Sequence, residues 1–244
     1  LTPDHTAVRV EPGVTVGTIA TFLLEHGLQL EATLEMEDAT LGGLALSQGM
    51  TSHSHVCGLV ADTVEAFEFV TGDGRVVVAT PTNEHADLYR AAAFSHGTLG
   101  ICVGLTFRVA KARDMVRLRY TKHTPASKLG EAYRAALHPD NKQAPFFVEG
   151  IVFSPEEAVL VEGFLDEDED DRSRARLRVN HQGRYWKPWF HRHARSVRHG
   201  HEERMPMRDY LMRHDKSLCM TLETVLPEAN NVLFRYALGW LVPP

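Results

Sequence analysis

Cysteine is scarce in this 244-residue chain: Cys57, Cys102 and Cys219 stand far apart. That spacing builds neither a disulfide framework nor a zinc site, so reduced thiols in a cytosol-facing protein are expected. No apolar run approaches the roughly 18 residues of a membrane span, and no secretory pattern opens the sequence. Positive charge is outnumbered, with 26 Lys and Arg against 32 Asp and Glu. The net charge of −6 removes the electrostatic case for nucleic acid. Internal repeats and low-complexity linkers are missing as well. Histidine is plentiful, at 14 residues, with His191, His193, His199 and His201 close together. No carboxylate pattern accompanies them, so no metal is expected.

What is present is an ordinary globular composition, 43% hydrophobic, long enough for one large domain or two smaller ones. The most informative stretch runs from Thr40 to Asp62, with four glycines and five Ser or Thr residues. Gly42 and Gly43 lack the β-carbons that keep backbone amides away from a ligand. Thr40 can cap a helix whose free N–H groups would face a pyrophosphate. Glycine-rich turns usually make turns and nothing else. This one is followed by a hairpin, Val64–Val70 and Val76–Ala79 around Gly72-Asp73-Gly74, and by a second glycine-rich turn, Ser95 to Gly104.

Around this constellation the pattern predicts a strand over Ala7–Val10 and a helix capped by Thr15 and ended by Gly27. Val16, Ile19, Ala20, Leu23 and Leu24 form its apolar stripe. A second helix is expected over Leu88–Phe94, capped by Asp87, and then a strand over Ile101–Val109. Composition shifts after Ala112, which marks the domain boundary. Beyond it come a strand from Met115, a helix over Ala126–Leu137 closed by Pro139, and strands over Phe146–Phe153 and Ala158–Phe164. Together these predict an antiparallel sheet carrying helices. The acidic run Asp166–Asp171 and the arginines after it read as a solvated loop.

Residues Val8 to about Ala112 resemble the second half of an FAD-binding domain of the vanillyl-alcohol oxidase and p-cresol methylhydroxylase (PCMH) type. The likeness rests on the Gly42-Gly43 loop, the Gly58-Leu59-x-x-Asp62 step, a strand ending in Asp73-Gly74, and Gly97-Thr98-Leu99-Gly100, in that order. Within that superfamily the second half of the chain resembles the Δ24-sterol reductase family. The runs that carry this are Tyr185-Trp186-Lys187-Pro188-Trp189-Phe190, Tyr210 with Arg213-His214, Asn230-Asn231 with Phe234-Arg235-Tyr236, and Gly239 to Pro244. His53 and Cys57 depart from the family pattern, where a serine and a tyrosine are expected.

The resemblance implies an α+β fold: the C-terminal part of a PCMH-type FAD-binding domain over 1–112, then part of an α+β substrate, or cap, domain over 113–244. It implies an excerpt whose flanks, including an N-terminal membrane anchor, lie outside the sequence, and a cytosol-facing place at the endoplasmic reticulum membrane. It implies FAD, NADPH as cosubstrate, a sterol as substrate, and reduction of the Δ24 side-chain double bond. Carried over position by position, the FAD segment falls on Thr40, Leu41, Gly42, Gly43, Leu44, Ala45, Leu46, Ser47, Gln48, Gly49, Met50, Thr51 and Ser52, with Gly97 and Gly100 as second candidates.

No covalent flavin attachment point matches. The proton donor is open. His55 and Tyr185 are candidates, with a structural histidine and a pocket wall as the competing roles. Lys187 stands beside Tyr185, and Glu149 suits the role if burial raises its pKa. An FAD-linked oxidase of an alcohol or sugar lactone, and a non-catalytic interaction protein retaining the fold, are the alternatives. The aromatic run with the basic stretch Arg192–Arg204 allows a membrane-surface element, against a partly buried aromatic cluster.

Overall fold

The computed structural model describes residues 1–47, 49–165, 177–215 and 231–238. The charged run from Asp166 to Arg176, Gln48, Cys219 and Asn230 fall outside these. The chain divides into two compact units, Leu1–Ala112 and Arg113–Pro244. Both combine helices with antiparallel sheet, an α+β fold.

The first unit is organised by its longest strand, β5 (Ile101–Lys111). Strands β1 (Ala7–Val10) and β3 (Val64–Val70) pair with it antiparallel, β4 (Val76–Ala79) extends β3, and the short β2 (Leu28–Leu30) pairs with the end of β5. Alternation buries Phe67 and Phe69 with Glu68 between them on the other face, and a register shift between Val64 and Ala66 precedes this run, so that Val64 is buried as well. On the polar face, Arg9 of β1 reaches Glu68 of β3 at 2.6 Å. The pair passes over Gly104 of the intervening β5, where a β-carbon would lie 2.7 Å from the Glu68 carboxylate. The Gly72-Asp73-Gly74 turn closes as expected, Gly74 adopting φ +81°.

Helix α1 (Val16–Glu25) begins where Thr15 Oγ1 accepts the Thr18 N–H at 3.3 Å and buries Val16, Ile19, Ala20 and Leu23. Gly27, at φ +68°, turns the chain out of it. Two short helices, α2 (Leu41–Ala45) and α3 (Ser54–Cys57), occupy the glycine-rich stretch. Helix α4 spans Ala86–Ala92, two residues earlier than the sequence predicts. Asp87 is therefore inside the first turn, paired with Arg90 at 2.5 Å, and not a cap. Asn83 closes the turn before it by accepting the His85 N–H at 3.0 Å.

The second unit is a four-stranded antiparallel sheet in the order β7-β8-β6-β9, with β6 at Met115–His123, β7 at Phe147–Ser154, β8 at Glu157–Leu165 and β9 at His201–Pro206. The predicted helix over Ala126–Leu137 is a 3-10 turn, Ala126–Lys128, followed by α5, Leu129–Ala136. Ala136 of α5 packs with Val148 of β7 and Leu160 of β8. Helices α6 (Phe190–Ser196), α7 (Met207–Leu211) and α8 (Val232–Leu238) follow.

Strand β9 corrects one expectation. The basic stretch Arg192–Arg204 is not a single surface element, since its first half lies in α6 and its end enters the sheet. Glu203 and Met205 face inward at 2% and 0% exposure. A carboxylate at a core position breaks the apolar alternation by which strands are recognised.

Candidate functional site

Two glycine-rich segments meet in the first unit. The His96 N–H donates to the Leu46 carbonyl at 2.9 Å, tying the turn before β5 to the end of α2. Between them lies a cleft of about 610 Å³ lined by Pro12, Gly13, Thr40, Gly42, Gly43, Leu46, Ser47, His96, Gly97, Gly100, Ile101 and Cys102. That volume falls within the roughly 300–1,000 Å³ of small-molecule and cofactor sites. Its walls combine glycine backbone, the small polar side chains of Thr40 and Ser47, and the apolar Pro12, Leu46 and Ile101. Gly97, at φ +77°, has nothing within 4 Å of where its β-carbon would stand.

The carried-over FAD segment is split by the structure. Thr40, Gly42, Gly43, Leu46 and Ser47 line the cleft. Leu41 and Ala45 are fully buried beneath it. Leu44, Gly49 and Met50 do not line it, and Met50 is 69% exposed. Thr51 and Ser52 are turned to other partners. The Ser52 N–H and hydroxyl both donate to Glu35 Oε1, at 2.9 and 2.6 Å. Gly97 and Gly100, the second candidates, do line the cleft.

The start of α2 differs from expectation. Its first amides are already used within the fold: Leu41 N–H donates to the Val14 carbonyl and Gly42 N–H to the Pro12 carbonyl, both at 2.9 Å, and Gly43 N–H to Thr40 Oγ1 at 3.4 Å. They are not free donors for a pyrophosphate. The Gly42 side is closed for a steric reason too, because a β-carbon there would stand 2.4 Å from Pro12 Cβ. The groups left to address a ligand are the Thr40 hydroxyl hydrogen and the open backbone around Gly97, since the Ser47 hydroxyl donates to the Gly43 carbonyl at 2.5 Å.

His53, a departure from the family pattern, is 1% exposed. Its Nε2 donates to the Glu31 carbonyl, which can only accept; Nδ1, 3.1 Å from Thr51 Oγ1, then takes the hydroxyl's hydrogen. The ring bridges the segment after β2 to the loop before α3. His55 is on the exposed side of α3. Burial pushes the thiol of Cys57 up to about 11 and raises that of Cys102 as well. Neither is a ready nucleophile.

In the second unit Tyr185 is 41% exposed and meets Trp186 edge to face at 4.9 Å. Glu149 reverses its expectation. Burial alone would raise its pKa, but His214 at 2.7 Å and Arg213 at 2.9 Å hold the carboxylate well below the ordinary range. It stays ionised and is no proton donor at neutral pH.

Sequence reading missed a buried polar hub on Glu203. This carboxylate accepts from Tyr120 Oη at 2.7 Å, His193 Nε2 at 2.8 Å and Asn180 Nδ2 at 3.0 Å. Burial pushes its pKa up, and those donors reverse the shift, to about 2. Tyr120, fully buried against that charge, is held far above its usual value. From the hub, Asn180 Oδ1 accepts Lys187 Nζ at 2.8 Å, which anchors the aromatic run. A charged residue at an inward register position of a strand was the signal that could have found it. Among the described residues no group of His, Cys, Asp and Glu could hold a metal, and no helix is long and apolar enough to cross a membrane.

Residues 1–80 match the family model of an FAD binding domain, which contains β1 to β4 and most of the cleft's first wall. The cleft and this match define the class: a protein with an FAD-binding domain. The whole chain is similar to Delta(24)-sterol reductases: 36% identical to that of Arabidopsis thaliana over 99% of this chain and 44% of the relative, and 37% identical to that of Homo sapiens over 97% and 45%. A Delta(24)-sterol reductase homolog of Caenorhabditis elegans is 30% identical over 99% and 47%. The chain belongs to the Delta(24)-sterol reductase family. It spans less than half the length of these curated relatives.

Proposed function

We propose that the protein is an FAD-dependent oxidoreductase that reduces the Δ24 side-chain double bond of a sterol, with NADPH as electron donor. The first unit is the C-terminal part of the FAD-binding domain and the second part of the substrate domain. The observation that carries the reading is the cleft joining the two glycine-rich segments, one wall of which lies inside the matched FAD-binding stretch. The lining fits the group: the Thr40 hydroxyl, the β-carbon-free surface at Gly97 and the apolar Leu46 and Ile101 suit a flat ligand with polar and apolar parts.

A bound FAD supplies hydride chemistry, which an isolated alkene accepts only when its other carbon receives a proton. The chain's own residues orient the sterol, exclude water and hold that proton. His55 and Tyr185 remain the candidates, while Glu149 is excluded by its ion pairs. Attachment of FAD is non-covalent, with release of all flavin on mild acid denaturation as the expected result. A cytosol-facing site at the endoplasmic reticulum membrane goes with a sterol substrate.

The test is anaerobic reduction of the flavin by NADPH in the whole protein, followed by a Δ24 sterol while flavin absorbance is watched. Reoxidation with formation of the saturated sterol is expected. Reoxidation by oxygen alone would transfer the protein to the FAD-linked oxidases, and absence of flavin binding would leave an interaction protein that has kept the fold.

A further inference from the structure

Reduction of an isolated alkene takes up one proton with each hydride, and the group that carries the proton has to hold it where water is kept out. The buried titratable groups of the second unit divide sharply in this respect. Glu149 is ionised between Arg213 and His214. Tyr120 gives its hydrogen to Glu203 and is held far above its ordinary pKa by burial and by that charge. Glu203 is itself ionised.

His193 is different. Helix α6 fixes it through Phe190 and Ala194, both 0% exposed, and its ring meets Tyr120 edge to face at 5.8 Å. Its side chain is 17% exposed, at the margin of the core. Nε2 lies 2.8 Å from Glu203 Oε1, and because a carboxylate only accepts, the hydrogen between them belongs to Nε2. Nδ1 makes no hydrogen bond among the described residues. One ring nitrogen is thus held by a buried carboxylate and the other is left for exchange, the arrangement by which a carboxylate orients a histidine for proton transfer. The other titratable groups around the pair are His201 on the same strand, with Nε2 3.5 Å from Glu203 Oε2, and Tyr120 on β6, on which Tyr210 and Arg213 act electrostatically. Lys187 completes the set. It donates to Asn180, which donates to Glu203, so the pair and the aromatic run Tyr185 to Phe190 share one network.

We propose that His193 is the proton donor of the sterol reduction and that Glu203 is the positioning residue that holds its ring. One alkene carbon gains the hydride supplied by the cofactor and the other gains the Nδ1 proton. Two electrons pass to the alkene, and the neutral ring takes its next proton from water. The proposal rests on the reductase reading.

Two readouts test it. Histidine ¹⁵N NMR of the whole protein without sterol should show the neutral His193 ring protonated at Nε2, with the exchanging proton at Nδ1, and Glu203→Gln should abolish that preference. A neutral ring protonated at Nδ1 in the wild type overturns the proposal. Rapid mixing then separates the half-reactions. In His193→Gln, whose amide can still donate to Glu203, flavin reduction by NADPH should keep the wild-type rate, while reoxidation by a Δ24 sterol slows about 100-fold or more. Equal sterol-dependent rates in wild type and variant overturn the proposal and leave the reductase reading standing. Parallel loss of both half-reactions also overturns it, assigning His193 to structure alone. A wild type that binds flavin and passes no electrons to the sterol overturns both.

Discussion

Gly42 donates its N–H to the Pro12 carbonyl at 2.9 Å, and the two residues are so close that a β-carbon on Gly42 would stand 2.4 Å from Pro12 Cβ. The glycine therefore serves the contact between α2 and the segment after β1, and with Pro12 it lines the cleft. Gly42→Ala must push that segment away and is expected to cost about 1–3 kcal/mol, the usual range for overpacking. Gly43→Ala meets only the Thr40 hydroxyl, at 2.9 Å. That side chain can rotate, so a smaller loss is expected. Urea melts of the two variants check the order, and equal midpoints would contradict it.

Gly97 is the opposite case. Its φ of +77° disfavours any side chain, and the space beyond it opens into the cleft. Gly97→Val is expected to lower stability by roughly 1–2 kcal/mol and to weaken flavin binding at least tenfold. Flavin fluorescence titration measures the second effect. Unaltered affinity in a folded Gly97→Val protein would mean that the ligand of this cleft is not FAD.

Elements with regular patterning were legible in the sequence. The β3–β4 hairpin, β1 and α1 are where alternation, the Asp-Gly turn and the Thr15 cap put them, because each is specified locally. The glycine-rich turns were legible as a site, but the use of the α2 amides was not. Those amides are taken by Val14 and Pro12, distant carbonyls that no local pattern announces. Strand β9 and the Glu203 hub were hidden for a related reason. A buried carboxylate looks like surface until its partners Tyr120, Asn180 and His193, spread over the second half, are brought together.

The hub also makes acid sensitivity predictable. Glu203 has its pKa lowered from 4.5 to about 2, so its contribution is full above the unfolded value and is lost as pH falls from about 4.5 towards 2. The shift corresponds to stability on the order of 3 kcal/mol. Glu203→Gln, which keeps the shape without the charge, should flatten the acid limb of a stability profile between these values. A variant profile parallel to wild type throughout would show that the carboxylate carries no such linkage.

Arg213 is 4% exposed, sits 4.0 Å over the Tyr210 ring and gives both Nε and Nη2 to Glu149. His214 holds the other carboxylate oxygen. Removing Arg213 leaves Glu149 to His214 alone, so Arg213→Met should cost up to about 3 kcal/mol, whereas Glu149→Leu combined with it should recover part of the loss. The double-mutant cycle reads that coupling directly. Since the Glu149 pKa is depressed, the contribution of the pair is present above the ordinary carboxylate range and disappears in acid. The coupling measured at neutral pH should therefore shrink in strong acid. A coupling independent of pH would instead assign the loss to the packing of the arginine stem against Tyr210 and Phe190.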